Sequence, residues 1–266
     1  MSKDTILITG ASTGIGAVYA DRFAKRGHNL ILVARDFERL EVLANRLWAE
    51  TGVNVEIEVA DLTNKPDLAR IETRLLTDPK IGVLVNNAGM GAFGEIIGAD
   101  PENLETVIAL NVTAATRLAA AAANAFAARG GGSIINLSSV LALAPERTNP
   151  VYGGSKAFLL NFSQALHQQV SDKGVHVQVV LPGATRTEIW ARAGKNVNAL
   201  DPAMVMDVHD LVDAALAAFD AGELVTIPSL PDAGDWNAFE AARLKLAPNL
   251  SRRFPASRYR MKEVAA

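Results

Sequence analysis

The chain has 266 residues, of which 49% are apolar and 21% are charged, with a formal net charge of −3 and no cysteine. This length suffices for one α/β domain with a large core, and the charge balance gives no reason to expect nucleic-acid binding. The lack of cysteine excludes disulfides and thiolate metal sites. The first residues do not resemble a signal peptide, and no apolar run reaches the roughly 18 residues of a membrane span. We therefore expect a cytoplasmic protein with no membrane partner.

The first predicted strand leads into a glycine-rich turn. Residues 5–9 form a short apolar run, Gly10-Ala-Ser12-Thr13-Gly14-Ile15-Gly16 follows, and a helix is predicted from Ala17 to Arg26. A strand, a glycine turn and a helix form the context of a dinucleotide-binding turn, because glycines let the backbone approach a pyrophosphate and the helix N-terminus supplies N–H groups. The spacing differs from the commoner Gly-x-Gly-x-x-Gly, and a glycine turn alone is weak evidence.

The second predicted strand, over residues 29–34, ends at charged residues. Arg35, Asp36 and Arg39 follow it. In dinucleotide-binding folds, the residue at the end of the second strand is either an acidic residue that binds the ribose 2′-hydroxyl or an Arg that binds a 2′-phosphate. Asp36 lies one residue beyond Arg35, so the pattern favours NADP(H) over NAD(H). The structural alternative is that Asp36 only caps the next helix.

The rest of the chain alternates helices with strands. Helices are predicted over residues 37–50, 64–78, 103–129 and 151–173, and strands over residues 54–60, 83–85, 133–138, 175–181 and 224–227. This alternation predicts a single Rossmann-type α/β domain over residues 1–266, with a doubly wound parallel sheet of about seven strands and helices on both faces. Asn111 interrupts the apolar pattern of the third of these helices, either as a hydrogen-bonded core residue or as a break in the helix that holds a water.

The stretch from Ser139 to Lys156 holds a candidate catalytic set. Tyr152 and Lys156 are four residues apart, so on a helix they share one face. A nearby ammonium favours the phenolate and lowers the tyrosine pKa, which would let Tyr152 exchange a proton with an alcohol or carbonyl oxygen. Ser139 follows the fifth strand and is placed to hydrogen-bond the same oxygen. Taken alone, most Tyr-x-x-x-Lys pairs are surface residues.

These residues together resemble the short-chain dehydrogenase/reductase family over about residues 4 to 190. The resemblance rests on Thr9-Gly10-x-x-x-Gly14-Ile15-Gly16, Asp61, Asn86-Asn87-Ala88-Gly89, Asn111, Ser139, Tyr152-x-x-x-Lys156 and Pro182-Gly183-x-x-x-Thr187. Ser138 competes for the serine role, and the family spacing of 13 residues before the tyrosine selects Ser139. Thr185 departs from the family pattern, which commonly has an aliphatic residue there.

The resemblance implies roles for individual residues. Tyr152 would be the general acid or base, Lys156 would lower its pKa, Ser139 would polarise the substrate oxygen, and Asn111 would hold a water for proton relay. The implied cofactor site comprises Gly10, Ser12, Thr13, Gly14, Ile15, Gly16, Arg35, Arg39, Asp61, Leu62, Asn87, Ala88, Gly89, Tyr152, Lys156, Pro182, Gly183, Thr185 and Thr187. NADP(H) is the expected cofactor and NAD(H) the less favoured one, and no metal is expected because the four histidines lack ligand spacing.

The remaining expectations concern the C-terminal third of the chain. Residues 188–222 are expected to form a substrate lid, and Leu141, Leu143 and Trp190 to line the substrate pocket. Residues 228–266 form an extension with many basic residues, interpreted as a solvated or subunit-contacting segment, with an anionic substrate or partner as the alternative. The family resemblance implies a homodimer or homotetramer. The function expected is reduction of a carbonyl or oxidation of an alcohol on a small, apolar substrate, and the alternative is an NADP(H)-binding sensor without turnover.

Overall fold

A computed structural model describes residues 4–92, 94–192 and 195–259. The chain divides into two compact units, residues 1–228 and 229–266. The division falls where the C-terminal extension was expected to begin.

The first unit is built on one parallel sheet. Within the described residues its strands are β1 (Thr5–Thr9), β2 (Asn29–Ala34), β3 (Val55–Val59), β4 (Ile81–Asn86), β5 (Gly132–Leu137), β6 (Val175–Val180) and β7 (Val225–Thr226). Their order across the sheet is β3-β2-β1-β4-β5-β6-β7, and every pair is parallel. The doubly wound sheet predicted from the alternation is therefore confirmed, and the carboxyl ends of all strands meet at one edge.

Helices cover both faces of the sheet. They are α1 (Gly14–Lys25), α2 (Phe37–Thr51), α3 (Lys65–Thr77), α4 (Pro101–Ile108), α5 (Ala115–Ala128), α6 (Pro150–Val170), α7 (Ile189–Arg192) and α8 (Val208–Asp220). One core contains residues of α1, α2 and α8 against Ile6 and Ile8, and the other contains residues of α3, α5 and α6 against Leu7. Alternate side chains of a strand point to opposite faces, so β1 contributes to both cores.

The helix from Pro101 to Ala128 is not regular. A π-helical turn, Ala109–Ala114, separates α4 from α5 and contains Asn111, which is 1% exposed. By length and composition this stretch could cross a membrane, with a mean hydropathy of 1.4, but half of it is buried and α5 packs on α3. An Ala-rich core helix explains the same composition.

Helix α8 corrects part of the expected lid. Leu211, Val212, Ala215 and Leu216 are buried in the core beside α1, because they recur at helical spacing on one face. Residues 208–220 therefore belong to the core and not to a lid. The described remainder of that stretch holds α7 and two short 3₁₀ turns, Val197–Ala199 and Pro202–Met204.

The second unit contains one helix, α9 (Ala233–Leu244), within its described residues 229–259. Asp232 caps its N-terminus by accepting a hydrogen bond from Gly234 N. The rings of Trp236 and Phe239 pack 5.4 Å apart. Two short turns, Ala247–Asn249 and Ser257–Tyr259, follow the helix.

Candidate active site

The candidate site lies where the parallel strands end. The glycine turn follows β1, Arg35 follows β2, Asp61 follows β3, Asn87 follows β4 and Ser139 follows β5. The order of strands reverses between β1 and β4, and open α/β sheets bind ligands in the crevice at such a point. The structure thus brings residues from five separate segments to one edge of the sheet.

Hydrogen bonds fasten the glycine turn to the end of β4. Asn87 Nδ2 donates to Thr9 O at 2.9 Å and to Gly10 O at 3.2 Å. The Thr9 hydroxyl accepts from Asn87 N at 3.0 Å and Ala88 N at 2.9 Å. Asn87 and Ala88 therefore hold the glycine turn in place through these hydrogen bonds. Thr9 is a positioning residue, and it was not among the site residues predicted from the sequence.

The glycine turn has the geometry of a cradle for a phosphate. Gly10 and Gly14 have φ of 64° and 57°, where a side chain would be strained. A Cβ at Gly16 would lie 2.4 Å from Gly10 O, so the turn can close only around glycine. Thr13 stands at the N-cap of α1 without a side-chain cap, whereas Asp36, Asn64 and Asn149 cap their helices. The N–H groups of the first turn of α1 are available to an anion.

Arg35 and Arg39 stand in different surroundings beside this cradle. The side chain of Arg35 is 72% exposed and its Nη1 lies 3.9 Å from Asp61 Oδ2. Arg39 instead donates to Glu188 Oε2 at 2.7 Å and lies 3.3 Å from Asp36 Oδ2. Asp36 also caps α2 by accepting from Arg39 N, as the structural alternative proposed. Arg35 is therefore the better placed of the two arginines for a 2′-phosphate.

The residues at the ends of β3 and β4 differ in accessibility. The Asp61 carboxylate accepts from Thr63 N and Thr63 Oγ1 at 3.0 and 2.7 Å, and those bonds, with Arg35, hold its pKa below the usual value against the opposing effect of burial. The Leu62 side chain is 5% exposed and packs in the core, so only its backbone faces the edge of the sheet. Gly89 lies beside the catalytic candidates, since its added Cβ would stand 3.4 Å from Lys156 Nζ.

Ser139, Tyr152 and Lys156 meet at the start of α6. The side chain of Ser139 lies near that of Tyr152 and acts to lower the pKa of its hydroxyl. Lys156 Nζ lies 5.7 Å from the centre of the Tyr152 ring and donates to Leu137 O at 2.9 Å. Ser138 turns away, because its hydroxyl donates to Lys156 O at 2.7 Å. Of the two competing serines, only Ser139 is placed beside Tyr152.

Burial controls the protonation of this set. It lowers the pKa of Lys156 to about 8, because an ammonium loses hydration there. Burial also raises the pKa of Tyr152, with the nearby Ser139 side chain acting in the opposite direction. The expected lowering of the Tyr152 pKa by Lys156 is therefore not seen in this structure. Desolvation outweighs an ammonium that is turned toward Leu137 O, and Tyr152 keeps its proton at neutral pH.

Asn111 connects the π-helical turn to the loop after β4. Its Oδ1 accepts from Met90 N and its Nδ2 donates to Met90 O, both at 2.9 Å, while Nδ2 also donates to Ser155 Oγ at 3.2 Å. The backbone break considered from sequence is present. The water that Asn111 was expected to hold remains a prediction.

Asn149 positions the catalytic helix and was not singled out from sequence. Its Oδ1 accepts from Val151 N at 3.0 Å and Tyr152 N at 3.5 Å, and its Nδ2 donates to Gly94 O at 3.0 Å. It thus caps α6 at the turn that carries Tyr152. The signal that could have identified it is an Asn followed by Pro150 at a helix start.

The segment after β6 borders the same edge. Ser139 Oγ lies 3.4 Å from Pro182 O, and the added Cβ of Gly14 would lie 3.3 Å from the Thr187 methyl group. Thr185 is buried, and its hydroxyl donates to Gly183 O at 3.0 Å. This hydrogen bond satisfies the hydroxyl at a position where the family commonly has an aliphatic residue. Trp190 Nε1 donates to Thr185 O at 2.8 Å, so the indole is held in place.

The expected pocket residues Leu141 and Leu143 follow Ser139. Leu141 lies in a 3₁₀ turn, Val140–Ala142, and Leu143 is the C-cap of that turn. Leu141 is half-buried and its N–H donates to Ser139 Oγ at 3.1 Å. Leu143 is 39% exposed and Met204 is 59% exposed. Their contact with a substrate remains a prediction.

Comparisons with known proteins agree with this geometry. A family model described as short chain dehydrogenase matches residues 4–198. The structure of a short-chain dehydrogenase from Sphingobium yanoikuyae in complex with NADPH is similar, with 53% identity, a TM-score of 0.94 and coverage of 97% of this chain and 100% of that one. The bulky-bulky ketone specific alcohol dehydrogenase from Comamonas testosteroni has 49% identity, a TM-score of 0.90 and coverage of 97% and 99%.

Curated relatives are more distant and longer. The 17-beta-hydroxysteroid dehydrogenase type 3 of Homo sapiens is 35% identical over 193 residues, which make up 72% of this chain and 62% of the relative. The chain thus spans about three fifths of the length of the curated relatives it matches.

Proposed function

The chain belongs to the short-chain dehydrogenase family, and from this premise we propose that it is an NADP(H)-dependent oxidoreductase that interconverts a carbonyl group and an alcohol. The observation that carries the proposal is the grouping of Ser139, Tyr152 and the buried Lys156 at the start of α6, at the edge where the glycine turn also lies. A sensor without turnover has no need of this set, and nothing in the site or the comparisons favours one.

The preference for NADP(H) follows from charge at the end of β2. Arg35 offers an exposed guanidinium, a suitable partner for a 2′-phosphate. Asp36, the acidic residue that follows Arg35, is engaged as the cap of α2. A similar protein was crystallised with NADPH, which supports the same choice. The uncapped start of α1 and the glycine cradle would hold the pyrophosphate.

The protein residues provide the proton and the orientation. The bound nicotinamide supplies a hydride to the carbonyl carbon during reduction. Tyr152 donates its phenolic proton to the carbonyl oxygen, and its raised pKa keeps that proton in place until the oxygen becomes basic. Ser139 donates a hydrogen bond to the same oxygen. Lys156 retains most of its positive charge at neutral pH, since its pKa of about 8 is above 7, and supports the phenolate left on Tyr152.

We assign a ketone with large apolar groups as the substrate class. Leu141, Leu143 and Met204 present apolar surface near the start of α6 and in the segment after β6. A relative 49% identical is named for bulky-bulky ketones, and others are named for steroids, which supports this class.

The test is NADPH and NADH oxidation over a panel of aliphatic, diaryl, steroid and α-dicarbonyl compounds, with Tyr152→Phe in parallel. Turnover with NADPH that is lost in Tyr152→Phe, while NADPH binding is kept, is the expected result. Turnover that survives in Tyr152→Phe would overturn the role of Tyr152. A preference for NADH would overturn the role of Arg35.

A further inference from the structure

The C-terminal unit exposes a surface that the proposed reaction does not use. Residues 241–259, here the basic segment, contain five basic residues and no Asp or Glu. The five are Arg243, Lys245, Arg252, Arg253 and Arg258. Large apolar side chains stand between them at more than half exposure, namely Leu244, Leu246, Leu250, Phe254 and Tyr259. Exposed apolar side chains in such number mark an interaction surface.

Helix α9, which leads into the basic segment, adds to the exposed surface of this unit. None of the twelve residues of α9 is buried. Isolated helices of about this length are marginal in water, because nucleation is costly and packing supplies most helical stability. A partner that covers α9 and the basic segment would supply that packing.

A surface of the first unit has the opposite charge. Residues 94–108, here the acidic surface, contain Glu95, Asp100, Glu102 and Glu105 and no Lys or Arg. Exposed apolar side chains accompany them: Ile97 is 87% exposed, and Ile96 and Ile108 are nearly half exposed. The acidic surface and the basic segment therefore match in both respects, with opposite charges around exposed apolar groups.

We propose that the basic segment of one copy of this chain docks on the acidic surface of a second copy. The apolar side chains supply the buried contact, and the opposite charges set orientation and exclude other partners.

The acidic surface is tied to the candidate active site. Asn149 Nδ2 donates to Gly94 O at its start, and Asn149 also caps the helix turn that holds Tyr152. Asn111 holds Met90 in the same loop and lies just beyond the end of the surface. A docked segment from a second copy would thus cover a loop that both site residues fix, and would form part of the wall around the substrate.

The experiment is the molar mass of the full chain by size-exclusion chromatography with light scattering. Three variants are compared with the wild type. One double variant carries Arg252→Glu and Arg253→Glu, a second carries Glu95→Arg and Glu105→Arg, and a fourfold variant carries all of these changes. We expect each pair of changes to halve the mass of the wild-type assembly and the fourfold variant to restore it. Raising NaCl from about 0.1 M to about 1 M should weaken the wild-type assembly, since salt screens exposed charges.

The control is Lys80→Glu with Lys173→Glu, which makes the same change of charge just before β4 and β6, at the opposite edge of the sheet. It should leave the mass unchanged. NADPH binding by each variant checks that it is folded, and Arg252→Gln with Arg253→Gln provides a milder version. A wild-type mass of one chain, or no change in either charge-reversed pair, would overturn the proposal. A further outcome would also overturn it: the wild type binds phosphatidylglycerol vesicles, and the double variant with Arg252→Glu and Arg253→Glu loses that binding but keeps the wild-type mass. The basic segment would then bind a lipid surface and not a second copy.

Discussion

Arg39 and Glu188 form an ion pair that joins two distant parts of the candidate cofactor site. Arg39 Nη1 donates to Glu188 Oε2 at 2.7 Å, although the residues are 149 positions apart. Arg39 lies in the first turn of α2, and Glu188 follows Thr187 in the segment after β6. The carboxylate of Glu188 thus holds the arginine that was expected to share a 2′-phosphate with Arg35. A phosphate and Glu188 would compete for the same guanidinium.

Removing the charge of Glu188 should therefore strengthen NADPH binding. In Glu188→Gln we expect the dissociation constant for NADPH to fall by about two- to fivefold, in keeping with the small strength of exposed ion pairs, and that for NADH to stay the same. Titration followed by nicotinamide fluorescence measures both. Glu38→Gln removes the same charge beside Arg39 on α2 and is the control. Weaker binding of both nucleotides in Glu188→Gln would show that the pair holds the segment over the dinucleotide instead.

Replacing Arg35 should separate the two nucleotides. Arg35→Ala removes a charge-assisted contact to the 2′-phosphate, so we expect NADPH binding to weaken by about tenfold or more. NADH lacks that phosphate, and its binding should change little. Arg39→Ala should have a smaller effect than Arg35→Ala, because Arg39 is already paired with Glu188. Equal weakening of both nucleotides in Arg35→Ala would contradict the assignment.

Asn111 should contribute to both stability and activity. Asn111→Ala leaves Met90 N and Met90 O without their side-chain partner, and unsatisfied polar groups cost about 1–3 kcal/mol each. We expect the melting temperature to fall by about 4 °C or more and kcat to fall with it. Asn124→Ala, at an exposed position in α5, should change neither. A fully stable Asn111→Ala variant would mean that the π-helical turn does not depend on this side chain.

The buried Lys156 should make stability rise with pH in the alkaline range. Its pKa is about 8 in the folded protein and 10.5 as an ordinary lysine, so between these values the unfolded chain binds more protons. The free energy of unfolding then increases with pH. Lys156→Met lacks this titration, and the two tyrosines with raised pKa, Tyr19 and Tyr152, are common to both proteins. Urea unfolding of both proteins should show that the free energy of unfolding of the wild type increases relative to that of Lys156→Met from about pH 8 upward. A constant difference would indicate that Lys156 titrates normally.

Local patterns were sufficient to predict the architecture. Short apolar runs such as residues 5–9 and 29–34 are buried strands at the predicted bounds, because apolar runs of that length hide both faces of a parallel strand. The family motif then located the strand ends that carry Arg35 and Ser139. Helix starts were less accurate, since α1 begins at Gly14 inside the glycine turn and not at Ala17.

Contacts between distant residues were beyond such patterns. Nothing near Arg39 indicates that Glu188 will meet it, and nothing near Asn149 indicates Gly94, because those pairs form only when the strand order is set. The pKa of Tyr152 was predicted in the wrong direction for a related reason. Spacing gives the distance from Lys156 along a helix, but burial is a property of the whole fold.

Hydride transfer is tested most directly with NADPH that carries deuterium at both C4 positions of the nicotinamide and a bulky diaryl ketone, by mass spectrometry of the alcohol formed. We expect an alcohol that carries one deuterium on the carbinol carbon with wild-type protein, and no product with Tyr152→Phe at equal occupancy by NADPH. An alcohol without deuterium, or the same labelled product from Tyr152→Phe at the wild-type rate, would contradict hydride transfer with Tyr152 as the proton donor.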